Sequence, residues 1–267
     1  RQWKVFLYRL MGLESDADRA ERLVNWLQKA LGYSLTGTTR EKAVCLCWGP
    51  TDAGKSTFLS TFRELVEEYS TLLQIDTLMT RREETNNSLS DLADLRGCRF
   101  VQTSETEKGQ RLAEGKLKRI SQGLGKIKAC RKYENPITFL ETHKLWVDCN
   151  HRPRVRGNDG ATWNRLYPIP FTVAIPKDEQ DRSLPDKLLA EGAGILSWAV
   201  AGAVRWYAEG LGKPDEVEAA NQEWRKEEDL QGRFLEECTT GSDESVETSL
   251  LYKVYQWWCG RNGERYE

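Results

Sequence analysis

Histidine is nearly absent from this chain: among 267 residues only His143 and His151 carry an imidazole. Its seven cysteines (Cys45, Cys47, Cys98, Cys130, Cys149, Cys238 and Cys259) form no C-x-x-C pair. Together these absences argue against a zinc site. An odd cysteine count without a spaced framework reads as reduced intracellular thiols, not a disulfide scaffold. Neither sign of charge dominates; with a formal net charge of -2, any nucleic-acid surface must be local. No apolar run is long enough to span a bilayer, and the longest, Gly192 to Val204, reads as a buried helix. No N-terminal signal sequence is visible. The chain begins at Arg1 and ends inside a patterned segment, which reads as a piece of a longer protein. What is present, 30% charged and 39% hydrophobic residues, suits a soluble globular chain. Its length holds one α/β nucleotide-binding domain with helical additions.

The most informative stretch is Gly49-Pro50-Thr51-Asp52-Ala53-Gly54-Lys55-Ser56-Thr57. An apolar run from Ala43 to Trp48 precedes it, and a segment of helical period from Phe58 to Leu65 follows. Strand, glycine-rich loop and helix form the context in which a G-x-x-x-x-G-K-[ST] match signifies a phosphate site. Backbone N–H groups of the loop and the helix N-terminus face the β-phosphate, and Gly54 permits close approach. Lys55 then bridges the β- and γ-phosphate oxygens, and the Ser56 hydroxyl ligates Mg²⁺. The alternative is a glycine-rich turn that binds nothing, and the flanking elements argue against it.

Residues 1 to 33 carry helical spacing, with Ser15-Asp16-Ala17-Asp18 as a helix start and Gly32 near a helix end. A polar loop is expected from Thr80 to Ser90. A second strand, Cys98 to Thr103, ends on Ser104-Glu105. Glu105 is the candidate to contact the Mg²⁺ shell or orient the attacking water; an ordinary exposed glutamate is the alternative. From Lys116 to Lys132 seven basic residues occur without an acid. There, Lys126-Ile127-Lys128-Ala129-Cys130 alternates as a strand, Tyr133 to Pro136 reads as a turn, and Ile137 to Phe139 completes a hairpin. Lys126, Lys128, Arg131, Lys132 and Tyr133 are the candidates for nucleic-acid contact; the bland reading is a solvated charged face. A third strand, Lys144 to Cys149, ends on Asn150, placed to reach the γ-phosphate or lytic water unless it merely forms a turn. Helical spacing returns from 184 to 210, acidic helices and linkers follow to 247, and an amphipathic helix closes the chain.

Taken in order, these motifs resemble superfamily 3 helicases, specifically the helicase part of phage and plasmid primases and the poxvirus primase–helicase. The resemblance runs from about residue 25 to the end. It rests on the Gly49-to-Thr57 loop, Ser104-Glu105, Leu117-Lys118-Arg119 before the basic hairpin, and Asn150 followed by Arg152-Pro153. Further on it rests on Trp163-Asn164-Arg165-Leu166 with Ile169-Pro170-Phe171, and on Glu191-Gly192 with Gly194 to Trp198. It implies an α/β fold, a P-loop core of AAA+ type with a central parallel sheet flanked by helices. The expected divisions are a helical N-terminal segment (1–33), the ATPase core (34–183), a C-terminal helical part (184–240) and the start of a winged-helix-like module (241–267).

The resemblance also implies ATP and Mg²⁺ as cofactors and a homo-oligomeric ring, usually a hexamer, around single-stranded or forked DNA. A primase elsewhere in the full chain, no membrane partner, and the cytoplasm of a bacterial or archaeal host complete the expectation. Lys55 and Ser56 hold phosphates and metal, Glu105 activates water, Asn150 is the γ-phosphate sensor and Arg165 is the finger supplied to a neighbour. A structural salt bridge is the alternative for Arg165. Two departures matter: Ser104 stands where other P-loop ATPases often have an acid, and Gly123-Leu124-Gly125 replaces a frequent Gly-Gly-Asp at the hairpin entry. The rival functions are a nucleotide-gated DNA-binding scaffold that does not unwind, which Ser104 keeps open, and a small-molecule P-loop kinase.

Overall fold

The computed structural model describes residues 1–80, 87–103, 109–131, 133–156, 159–240, 245–264 and 266, with backbone alone at 87–89. Helices α1 (Gln2–Leu10) and α2 (Ala17–Leu35) lead to β1 (Val44–Trp48) and α3 (Lys55–Leu65). Next come β2 (Ser70–Leu73), α4 (Asn87–Ala93), β3 (Phe100–Thr103) and α5 (Glu114–Arg119). Strands β4 (Lys126–Ala129) and β5 (Ile137–Leu140) precede β6 (Lys144–Cys149), α6 (Gly160–Trp163) and β7 (Leu166–Pro170). Helices α7 (Leu184–Ala190), α8 (Gly192–Glu209), α9 (Asp215–Glu228), α10 (Leu230–Cys238) and α11 (Thr248–Arg261) follow.

The central sheet has the order β2-β3-β6-β1-β7, and every pairing in it is parallel. A parallel sheet is covered on both faces, which explains why β1 and β6 read as unbroken apolar runs. Their alternation sorts into two cores. Cys45 and Cys47 of β1, Trp146 of β6, Phe100 of β3 and Ile169 of β7 face the layer of α1, α2, α3 and α8. Val44, Leu46, Leu145, Val147, Val101 and Leu166 face α5, the hairpin residues Ile127 and Ala129, and Trp224 of α9. The buried cysteines act as small apolar fillers, and burial pushes the Cys45 and Cys47 thiols up. Edge strand β2 was not expected from the sequence. The expected polar loop from Thr80 lies mostly outside the described residues, and its last part is helical in α4.

The start signal of α2 operates as expected: the Asp16 carboxylate accepts from Arg19 N at 2.9 Å. Gly32 has a different role. It lies inside α2 where α8 crosses, and a Cβ there would stand 2.1 Å from Ala203 N; at Gly202 it would stand 1.9 Å from Gln28 O. Two glycines therefore let the helix backbones touch. Contact buries Ile195, Ala199 and Trp206 of α8, and fully burying a side chain such as Ile195 is worth about 2 kcal/mol. The buried helix expected here is buried on one face only, because α8 is an outer layer and leaves Val200, Val204 and Tyr207 exposed. Among the described residues no single helix is long and apolar enough to cross a membrane.

A substitution pair isolates the crossing. Gly202→Ala is expected to destabilise by about 2–3 kcal/mol, because the added methyl meets a backbone carbonyl that cannot rotate away. Gly194→Ala, in the same helix with open space around it, should stabilise by about 0.5–1 kcal/mol. Urea unfolding of the two variants measures both, and equal effects would contradict the packing described.

Candidate nucleotide site and basic hairpin

Phosphate-binding geometry forms where the chain leaves β1. Asp52 and Gly54 adopt positive φ (63° and 71°), and Gly54 caps the N-terminus of α3. A Cβ on Gly54 would lie 2.7 Å from Leu10 Cδ2, so α1 supports the loop from beneath. The first-turn N–H groups of α3 have no intrahelical partner and converge on the loop, which favours an anion. Lys55 is 4% exposed, and its ammonium donates to Gly49 O at 2.9 Å, Pro50 O at 2.7 Å and Asn150 Oδ1 at 2.8 Å. All three partners are neutral acceptors. A phosphate oxygen can replace them without breaking an ion pair, so the loop from Gly49 to Thr57 fits a nucleotide's phosphates.

The strand directly beside β1 is β6, with Cys47 opposite Asp148 and Trp48 opposite Cys149. The strand that runs towards Glu105, β3, is one strand further away, paired with β6. Glu105, Ser104 and Lys132 lie outside the described residues. Side chains alternate along a strand, so Trp146, Asp148 and Asn150 share the α3 face. Asn150 reaches Lys55, and the Ser56 hydroxyl donates to Asp148 Oδ2 at 2.6 Å. The sequence analysis passed over Asp148. Its signal was an acid inside an otherwise apolar strand, two residues before Asn150 and hence on the same face. A hydroxyl beside a carboxylate is a donor set suited to Mg²⁺, a hard cation that prefers oxygen. Beyond Asn150, Arg152 turns to α9, with Glu227 at 2.7 Å, and stacks 4.5 Å from the Trp48 ring centre.

Arg165 occupies the opposite edge of the sheet. Its carbonyl accepts from Val44 N at 2.8 Å, at the start of β1. The five residues of β1, roughly 16 Å at about 3.3 Å each, separate it from its own P-loop. Its Nε donates to Ser121 O at 3.2 Å and its Nη1 to Ala161 O. Ser121 belongs to the root of the hairpin, so Arg165 and the hairpin share an anchorage.

The hairpin itself forms as expected, with Lys126 opposite Leu140 and Lys128 opposite Thr138. Lys126 and Lys128 are exposed and alternate with buried Ile127 and Ala129. Tyr133, near the tip, is 94% exposed with φ 67°. Arg131 is turned to Asp94 at 2.6 Å, so its charge is already shared.

Beneath the hairpin root three ionisable groups are buried together. Burial raises Glu141 to about 7 against hydrogen bonds from Gln122 and Gly123. Burial, with Arg99, lowers Lys144 to about 7. Burial also lowers His143 to about 4; its Nε2 donates to Ile120 O at 3.1 Å while Nδ1 has no partner among the described residues. Protonating Nδ1 would bury an unsatisfied cation.

A family of unknown function (DUF5906) has a model that matches residues 47–165, from the end of β1 to Arg165. Two viral proteins, each named "Putative helicase", are 25% identical to this chain. The protein of Acanthamoeba polyphaga mimivirus aligns over 85% of this chain and 25% of its own length. That of Frog virus 3 (isolate Goorha) aligns over 86% and 25%. This chain therefore spans about a quarter of the length of the curated relatives it matches. Among solved structures, the apo C-terminal region of NrS-1 superposes with a TM-score of 0.58 at 12% identity. The match covers 96% of this chain and 62% of that one, and it is a likeness of fold. The chain is thus an α/β domain with a parallel central sheet flanked by helices, similar in sequence to viral proteins that are named putative helicases.

A pH measurement tests the buried root. The folded-state pKa of His143 lies below its ordinary value of 6.5, so the stability it contributes is complete above pH 6.5 and is lost as pH falls from there towards 4. Glu141 and Lys144 remain in His143→Gln and their own titrations largely cancel in the comparison. The stability difference between wild type and His143→Gln should be flat above pH 6.5 and shift against the wild type below it. Parallel stability curves from pH 7 to 4 would contradict the buried neutral imidazole.

Proposed function

We propose that this chain is the ATP-hydrolysing motor of a ring helicase of superfamily 3 and AAA+ type, part of a replication protein that also carries a primase. What carries this reading is the separation of two groups across one sheet. Lys55 and Asn150 meet at the carboxyl ends of the strands, whereas Arg165 and the hairpin root lie at the other edge. An arginine about one strand length from its own P-loop has its use in the site of a neighbouring copy. The similarity to viral proteins named as helicases supports the same reading.

In this mechanism ATP binds between subunits. Lys55 exchanges its carbonyl partners for phosphate oxygens, and Ser56 takes part in holding Mg²⁺. When bound, the metal would supply charge neutralisation at the phosphates. Asn150 fixes the γ-phosphate end of the site, Glu105 takes a proton from the attacking water, and Arg165 of the adjoining copy stabilises the charge that develops. Such an arginine is worth about 10³ or more in rate. Hydrolysis then shifts one copy against the next, and Lys126, Lys128, Lys132 and Tyr133 of the hairpin carry single-stranded DNA with it; Arg131 contributes when it leaves Asp94. A ring of six copies in the cytoplasm of a host cell goes with this account.

The test is ATP turnover against protein concentration, with and without single-stranded DNA. Turnover per chain should rise cooperatively with concentration and rise again with DNA. Lys126→Ala/Lys128→Ala should keep the first rise and lose most of the second, with the salt dependence of DNA binding shallower by about 1.4 units. Turnover linear in protein and indifferent to DNA would overturn the reading and favour a small-molecule kinase.

A further inference from the structure

The carboxylate of the metal site has no settled source in the sequence. Ser104 takes a position where an acid is often found, and Glu105, the candidate for the Mg²⁺ shell or the attacking water, lies outside the described residues. The geometry points to Asp148, on the strand that also carries Asn150, as the residue that supplies the Mg²⁺ carboxylate in partnership with Ser56. This proposal rests on the nucleotide-site reading above and extends it to a residue that reading does not use.

Three observations carry it. Asp148 is 6% exposed, in the middle of the sheet, between β1 and β3. Its Oδ2 lies 2.6 Å from Ser56 Oγ, the hydroxyl that a P-loop presents to the metal. Any Mg²⁺ ligated by that hydroxyl at about 2.1 Å lies within about 5 Å of Oδ2, in reach of direct ligation or of one intervening water. The strand period adds the third. Asp148 and Asn150 share a face, so one rigid strand presents a carboxylate to Ser56 and an amide to Lys55. The metal side and the γ-phosphate side of the site are thereby fixed to each other by two residues of backbone. Ser104 then ceases to be a defect in the site, and the scaffold reading that depended on it loses its support.

The experiment compares Asp148→Asn with Glu105→Gln in the full chain by titration calorimetry. ADP binding is measured with Mg²⁺ and again in EDTA, and Mn²⁺ retention with ADP is followed by electron paramagnetic resonance. Asparagine keeps the shape and an oxygen for Ser56, so the fold and metal-free ADP binding are expected to persist. Asp148→Asn should lose the metal-dependent part of ADP affinity and weaken Mn²⁺ retention about 10- to 100-fold. Glu105→Gln should keep both. Retention of the metal increment in a folded Asp148→Asn chain would overturn the proposal. So would its loss in Glu105→Gln, a result that decides the matter even if Asp148→Asn does not fold. Wild-type chain that binds no ADP under either condition would instead remove the nucleotide site on which the proposal stands.

Discussion

The parallel register of β1 against β6 is the constraint on which the rest of the site depends. With Cys47 opposite Asp148, the carboxylate and the Asn150 amide both reach the N-terminus of α3, where Lys55 and Ser56 wait. A slip of one residue would turn both polar groups into the opposite core, among Val44, Leu46 and Leu145. The cores oppose such a slip. Each strand sends alternate side chains into two packed clusters, and Trp146, fully buried between Phe58 and Phe100, fits one of them only. Packing energy spread over the sheet thus secures two polar contacts at its rim.

The same sheet works as a spacer. Its carboxyl edge gathers the P-loop, Asp148 and Asn150, while its amino edge gathers Arg165, Glu141, Lys144 and the hairpin root. Arg165 touches Ser121 O, and Ser121 leads directly into the hairpin entry. On the proposed reading, a displacement of Arg165 towards a neighbour's phosphate would withdraw a contact from the base of the element that bears Lys126 and Lys128. Helix α9 touches both edges: it carries Glu227 to Arg152 beyond the carboxyl end of β6, and its Asn221 donates to Leu166 O at 2.7 Å at the amino end of β7.

Local patterns in the sequence carried the P-loop, the helices before it, the basic hairpin and the strand ending at Asn150, because each is a short-range signal of period or turn chemistry. Strand order is not such a signal. Nothing in the spacing of Cys98 to Thr103 and Lys144 to Cys149 says which run pairs with β1. Asp148 was missed for the same reason: its meaning comes from Ser56, 92 positions away in sequence. Gly32 does sit near the end of α2, as read, but what requires a glycine there is the passage of α8, again a distant partner. Arg131 looked like one more basic residue until Asp94 was found beside it.

The central claim is that one complete site needs two chains. Mixing Lys55→Ala, which keeps its arginine, with Arg165→Ala, which keeps its P-loop, tests it most directly. Each variant alone should hydrolyse ATP about 10³-fold more slowly than wild type. Mixed before assembly, they should recover turnover far above either one, because some interfaces then pair an intact P-loop with an intact Arg165. A mixture no more active than the sum of its two components would contradict a site shared between copies.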